Sequence, residues 1–564
     1  MQSADFGADQ GRPTLNQFRN APLFWVGILL AAVGTGLHFP LYIASRSMHY
    51  QVSKMSMTGS MGTDMVLMDV GMGLILAGLV LSFIGLIPRR RPVSAAAAAE
   101  SKVVSGETRV TATVVQLMIV LAVAIVIDAT HPLTLSFVAP GMVKEYGLKA
   151  ATNPHGGLPV SLLPLVGITG TVIGSFTWGW LGDRIGRRAS IVMAGELFMT
   201  TAICGAMPAY QWNLVMCFLM GIGAGGMIPI TFTMIAESVP TRHRGWLMVL
   251  IGGEVLGAYA LVSWQAGWLI PHWSWRIMWL IGMPTGALLI LLSRWIPESP
   301  RFLLAYGRVA EAQAVMHRFG MKLVEAGQGA RAEIGAAAED RGRFSQLWAR
   351  GLAGQSLAIV LLGAGIGFVT YGFQLWIPSD LQQIGFSNGA TASLLRNSAL
   401  IGYPFTLLAA VLYGFWSSKK TILILTVLTI VSLAVFVVGG NSLTSNKTVF
   451  LFLLAVPILA TAVVTAVISA YSSEVYPTLI RARGGGLAAG ATKAGGVLII
   501  ALVAASLASP SMRTTALIGL VPMVLALGAV FAFGTETRKR QLEEISADLL
   551  VPVTAGGPVP GQGS

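Results

Sequence analysis

The chain has 564 residues, of which 54% are hydrophobic and only 11% charged, less than half the charged share of a soluble domain. So few charges cannot cover a water-facing surface, which excludes a string of soluble domains, and the formal net charge of +13 reads as orientation in a membrane rather than affinity for nucleic acid. Both cysteines, Cys204 and Cys217, sit in apolar runs, which excludes a disulfide framework or a cysteine zinc site.

Apolar runs long enough to cross about 30 Å of hydrocarbon fall first at 22–44 and 65–87. Six more follow at 114–138, 160–182, 189–208, 211–235, 246–270 and 276–296. After a polar stretch come 353–376, 391–416, 421–440, 449–472, 486–509 and 514–533. The sequence thus predicts fourteen spans, two in front of a body of twelve. Arg12 and Arg19 precede the first and no small-residue cleavage site follows it, so it reads as a retained anchor. Residues 88–113, with Arg89-Arg90-Arg91 and the alanine run 95–99, read as a linker. Residues 297–351, with Ala, Glu and Arg at helical spacing, predict one or two surface helices. The expected organisation is an appendage with linker (1–110), a six-helix bundle (111–296), connecting helices (297–351), a second six-helix bundle (352–537) and a tail (538–564).

Lys and Arg concentrate in cytoplasmic loops. With the N-terminus on that side, only six of the 37 (Arg46, Lys54, Lys144, Lys149, Lys447, Arg513) fall outside, and three (Arg276, Arg396, Lys493) lie in or at the ends of spans. An even span count then predicts two cytoplasmic termini in a multi-pass plasma or inner membrane protein.

The body repeats itself. Its second span leads into Gly182-Asp183-Arg184-Ile185-Gly186-Arg187-Arg188 and its eighth into Gly414-Phe415-Trp416-Ser417-Ser418-Lys419-Lys420. Its fourth leads into Glu237-Ser238-Val239-Pro240-Thr241 with Arg242 and Arg244, and its tenth into Glu474-Val475-Tyr476-Pro477-Thr478 with Arg481 and Arg483. Glu298 follows the sixth and Glu536 the twelfth. Offsets of 232, 237 and 238 residues describe one six-span unit used twice in the same orientation, an arrangement that places a site between the halves near mid-membrane. Asp183 is expected to cap a helix N-terminus, where the dipole favours an anion. Phe415 stands at the acid's place in the second copy, so a latch between the halves should be asymmetric.

These residues carry a resemblance. Gly179-x-x-Gly182-Asp183-Arg184-x-Gly186-Arg187-Arg188 is similar to the loop signature of the major facilitator superfamily. Pro297-Glu298-Ser299-Pro300-Arg301 and Glu536-Thr537, followed by Leu542-Glu543-Glu544-Ile545, resemble its sugar-porter and organic-ion branch. The resemblance spans about 110–546. It implies an all-α integral membrane protein with the major facilitator superfamily fold, two six-helix bundles plus, here, two extra N-terminal transmembrane helices. It also assigns Glu237, Arg244, Glu474 and Arg481, with the loop residues, to the conformational machinery. None of these motifs names a substrate.

A charge at the bilayer centre costs about 2.5–3.5 kcal/mol on insertion scales, so each one asks for a reason. The first body span holds Asp128-Ala129-Thr130-His131, with Pro140 twelve residues after the acid. This is similar to the aromatic-acid:proton symporters, with His131 at the place of a second acid. The pair is one turn apart on a helix and is expected to carry the proton; a histidine merely near the outer helix end is the plainer alternative. Lys493, in Gly490-Ala491-Thr492-Lys493-Ala494-Gly495-Gly496, resembles the basic residue that organic-anion transporters place in this span and would favour a carboxylate; the plainer alternative is snorkelling. Arg396 is a second candidate cation. Glu196 and Glu254 are further intramembrane acids, Glu254 a candidate for proton coupling. Tyr371, Gln374 and Trp376 suit an aromatic or amphipathic ligand.

The expected function is proton-coupled symport of a small organic acid, such as an aromatic monocarboxylate, by a functional monomer whose partners are its substrate, protons and the bilayer. No cofactor, metal or nucleic acid is expected. A sugar or polyol porter is the alternative within transport, and a non-transporting membrane sensor the alternative outside it. No enzyme is expected, since no metal-ligand spacing, nucleophile–base arrangement or phosphate loop is visible.

Overall fold

The computed structural model describes residues 21–45, 62–87, 101–105, 110–150, 153–305, 308–325, 344–349, 351–476, 481–506 and 511–537. Thirteen helices among them are long and apolar enough to cross a membrane, and Leu162–Trp178 is a shorter apolar helix at the place of the remaining predicted span. In chain order these are α1 (Pro22–Ala44), α2 (Val66–Leu86), α3 (Ala112–Tyr146), α4 (Leu162–Ile185), α5 (Arg187–Ala206), α6 (Tyr210–Ile235) and α7 (His243–Trp273). They continue with α8 (Ile277–Trp295), α9 (Ala353–Gln383), α10 (Asn388–Trp416), α11 (Ser418–Ser445), α12 (Lys447–Val475), α13 (Arg483–Ala505) and α14 (Met512–Phe533).

Local chemistry sets several helix ends. Thr111 caps α3 by accepting from the amide of Val114, and Gly147, at φ 62°, stops it in the left-handed conformation that glycine tolerates best. Ser417 caps α11 in the same manner through the amide of Lys420.

Packing repeats with a six-helix period. α4 lies on α6 as α10 lies on α12, and α5 lies on α8 as α11 lies on α14. The halves α3–α8 and α9–α14 meet through two equivalent pairs, α4 with α13 and α7 with α10. Tight crossings use small residues: a Cβ on Gly174 would lie 2.3 Å from the Ile222 carbonyl oxygen, and one on Gly367 only 2.1 Å from that of Thr492.

The appendage is a hairpin seamed by glycines seven residues apart. A Cβ on Gly27 would sit 2.4 Å from the Ser82 amide nitrogen, and one on Gly34 2.6 Å from the Gly71 carbonyl oxygen. The hairpin packs against α5 of the first half. There the Ser82 hydroxyl lies 2.6 Å from Oε2 of Glu196, a fully buried side chain whose other oxygen has no partner. Glu196 therefore faces the appendage, with Ser82 as its hydrogen-bond partner.

The connecting segment contains helices at Pro300–Ala305 and Val309–Arg318. One feature departs from the all-helical expectation. Strand β1 (Ser101–Ser105), in the stretch read as a linker, pairs antiparallel with β2 (Met321–Glu325) in the connecting segment, Val103 opposite Leu323. The β-branched Val103-Val104 and Val324 suit a ladder, but neither run is long enough to signal a strand without its partner.

Candidate functional site

A cavity with about 140 Å³ in which the centre of a water can move lies between the halves. Its wall is drawn from α3, α4, α6 and α7 on one side and α9, α12 and α13 on the other. Leu133, Ile228, Val255, Leu256 and Ile458 make much of it apolar, as ligand pockets usually are.

The polar groups are few and placed by distortions of their helices. In α3, Pro132 faces the cavity one turn after Asp128, removing a backbone donor at the wall. In α9, residues Val369–Gln374 form a π turn, a feature common at functional sites, and Tyr371 and Gln374 from it line the cavity. Gln374 Oε1 accepts from the Thr461 hydroxyl of α12 at 2.7 Å. Tyr259 of α7 completes the aromatic part of the wall.

Two opposite charges face this space. Asp128 is 4% exposed, and its Oδ1 has no hydrogen-bond partner. Lys493 of α13 reaches across the interface. Its ammonium donates to Gly225 O at 3.0 Å and Thr171 O at 3.4 Å, and makes a short contact with the Ser175 hydroxyl. All three acceptors belong to the first half, so the lysine also bridges the halves in this conformation.

Of the sequence candidates, the cavity therefore gathers Asp128, Lys493, Tyr371 and Gln374. The others lie elsewhere. His131 does not join Asp128: its Nδ1 lies 2.8 Å from the Ile127 carbonyl of its own helix, and its ring stacks on Phe198 of α5. Spacing of three residues on a helix leaves side chains about 60° apart by 3.6-residue geometry, enough here to put them in different cavities. Glu254 sits at the α7–α10 contact, where the Tyr403 hydroxyl donates to its carboxylate at 2.8 Å. Arg396 hydrogen-bonds to Asn397 beside it, its one partner among the described residues, and Trp376 is buried in packing. Thr171, Ser175, Tyr259 and Thr461 gave no signal in the sequence, because a hydroxyl in an apolar span is unremarkable until its facing is known.

The loop motifs cluster at one end of the bundle. Glu298 accepts from the amides of Arg187 at 2.7 Å and Arg188 at 3.3 Å, capping α5. The acid expected there was Asp183, whose side chain lies outside the described residues, as do those of Arg184, Glu237, Arg301 and Arg481. Burial pushes the Glu298 carboxyl above its usual range, against the backbone amides and the Arg187 charge that lower it. Gly186 turns the chain at φ 102°, and a Cβ there would lie 2.3 Å from Glu298 Oε2. The second half repeats the device: Glu536 accepts from the Ser418 amide at 3.0 Å and contacts the hydroxyls of Ser417 and Ser418. Glu474 accepts from the Tyr413 and Thr537 hydroxyls at 2.8 and 2.7 Å and approaches Gly245 and Arg244 of the other half. Gly179 and Gly182 lie within α4.

At the opposite end, Arg276 is fully buried, pairs with Glu145, donates to Gly205 O at 2.7 Å, and lies over the Trp275 ring. It clamps α3, α5 and α8 together.

Two parallel six-helix bundles enclosing an amphipathic cavity, with capped turns at one end, define a multi-pass membrane transporter rather than an enzyme. The sugar (and other) transporter family model matches residues 124–549, and the chain belongs to this family of major facilitator transporters. It is 27% identical to the niacin transporter NiaP of Acinetobacter baylyi, over 74% of this chain and 93% of that one. It is 30% identical to the inner membrane metabolite transport protein YgcS of Escherichia coli, over 66% and 81% respectively. Among solved structures, the partially occluded, inward-open xylose transporter XylE from E. coli superposes with a TM-score of 0.61 at 17% identity, covering 76% of this chain and all of that one; that likeness concerns the fold.

Proposed function

We propose that the protein is a proton-coupled symporter of a small organic acid, an aromatic monocarboxylate being the best match, working by alternating access. The observation that carries this reading is Lys493, a cation projecting into a largely apolar cavity that also holds Asp128. A carboxylate leaving water needs a compensating charge, and the ring of an aromatic acid suits the wall formed by Tyr259, Tyr371 and the neighbouring aliphatic side chains. The relative named for niacin, a pyridine monocarboxylate, supports the same chemistry.

In this mechanism the substrate anion takes Lys493 from its acceptors in the first half, while Asp128 takes up and releases the proton. One proton enters with one anion, so the cycle moves no net charge and the pH difference drives it; each pH unit supplies about 1.4 kcal/mol, a gradient of about tenfold. Glu298, Glu536 and Glu474 hold the turns at the end of the bundle that faces the cytoplasm in this reading, where the arginine-rich loops and both termini belong. The acting unit is the monomer.

A sugar porter is the second reading, favoured by the Gln374–Thr461 pair, which could meet a hydroxyl. Uptake into proteoliposomes separates the two. A panel of labelled aromatic acids, aliphatic acids and sugars is offered with and without an inward proton gradient. Gradient-driven accumulation of an aromatic acid supports the symporter, and uptake of sugars alone refutes it.

A further inference from the structure

Behind α3, away from the central cavity, lies a second and much smaller one between α3, α7 and α8. It has about 10 Å³ in which the centre of a water can sit, close to the room a single water needs. Its wall includes His131, Thr134, Gln265, Trp279 and Thr285. His131 and Trp279 are 6% and 3% exposed, and His131 Nε2 and Trp279 Nε1 have no hydrogen-bond partner.

The donors and acceptors can be counted. His131 Nδ1 faces the Ile127 carbonyl oxygen at 2.8 Å, so Nδ1 carries the ring proton and Nε2 of the neutral ring is a bare acceptor. Trp279 Nε1 can only donate. The hydroxyls of Thr134 and Thr285 give their protons to Thr130 O and Ile281 O, each at 2.8 Å, and keep lone pairs free. One unmet donor, one unmet acceptor, spare hydroxyl lone pairs and the Gln265 amide, which can both donate and accept, match the bonding capacity of water. A metal cation would meet the positive end of the Trp279 N–H, and an empty cavity would leave two buried polar atoms desolvated without return.

We propose that this cavity binds one ordered water that bridges His131 Nε2 and Trp279 Nε1, tying α3, one turn beyond Asp128, to α8. Both imidazole nitrogens are then occupied and the ring stacks on Phe198 with centroids 3.9 Å apart. His131 holds α3 in place and does not share the proton of Asp128. The inference stands whatever the substrate is.

A thermal-unfolding double-mutant cycle on the purified full chain tests it. His131→Phe and Trp279→Phe each remove one arm of the bridge while keeping an aromatic ring. Each should lower the unfolding midpoint, and the double variant should lower it by less than the sum of the two, because the water is lost only once. His131→Gln keeps an acceptor and should retain the coupling to Trp279. Additive losses overturn the proposal. A density map that shows ordered water is the second measurement, and it does not depend on variants that fold. A peak within hydrogen-bond distance of both atoms supports the bridge, and a dry cavity refutes it. A sodium-dependent rise in the wild-type midpoint that both single variants abolish would identify a cation instead and overturn the assignment to water.

Discussion

Lys493→Ala removes the positive charge from the cavity, and its effect can be apportioned between the resting protein and the bound state. In the resting protein the lysine donates to Gly225 O and Thr171 O and contacts Ser175. The Ser175 hydroxyl also lies 2.7 Å from Gly225 O and 2.8 Å from Thr171 O; its single proton can go to either, so one of those acceptors keeps a side-chain partner when the lysine is gone. The cost to the empty transporter is therefore modest. The bound anion has no such substitute among the cavity-lining residues, and truncating one partner of a buried charge pair costs about 2–5 kcal/mol. A loss of about 2.8 kcal/mol weakens binding about a hundredfold. Lys493→Arg should keep part of the affinity, since the charge survives while the shape changes. Equilibrium binding of a labelled aromatic acid to purified protein, at fixed ionic strength, reads the effect directly. If the alanine variant bound organic acids within about threefold of wild type, the lysine would not be the anion's partner and the reasoning from charge would fail.

Asp128→Asn should abolish accumulation against a gradient while leaving substrate exchange, which needs no net proton release; counterflow and gradient-driven uptake measured on the same proteoliposomes decide this, and unchanged accumulation removes Asp128 from the coupling step. Ser82→Ala leaves Glu196 buried without a hydroxyl and should destabilise the protein by about 1–3 kcal/mol, seen as a lower unfolding midpoint, with a wild-type midpoint counting against the contact. Gly186→Ala forces a Cβ into the Glu298 carboxylate at a positive φ; a glycine replacement at a compatible site stabilises by about 0.4–1 kcal/mol, whereas this one should destabilise by more than that and reduce folded yield by fluorescence-detected chromatography.

Composition and hydropathy determined that the chain crosses a membrane many times, because each span must satisfy its backbone within itself and so announces itself as a run of about twenty apolar residues, and the spaced loop motifs showed that its body is one unit repeated. The charged motifs were equally visible, since a charge at a helix end stands out against an apolar background. Facing was not. Asp128 and His131 look like one pair on a helical wheel, yet α3 is packed on both sides and each residue meets a different cavity. The π turn that brings Tyr371 and Gln374 to the wall leaves no mark in composition, and Trp376, only two residues on, turns into packing. Asp183 drew attention as the acid of its loop, whereas the amides of α5 are met by Glu298, over a hundred residues away. The same holds for Glu196 with Ser82, and for β1 with β2. Periodicity along one helix cannot say which neighbour will lie beside it; only the packing of the helices settles that, and the cavity, its charges and their partners are all properties of the packing.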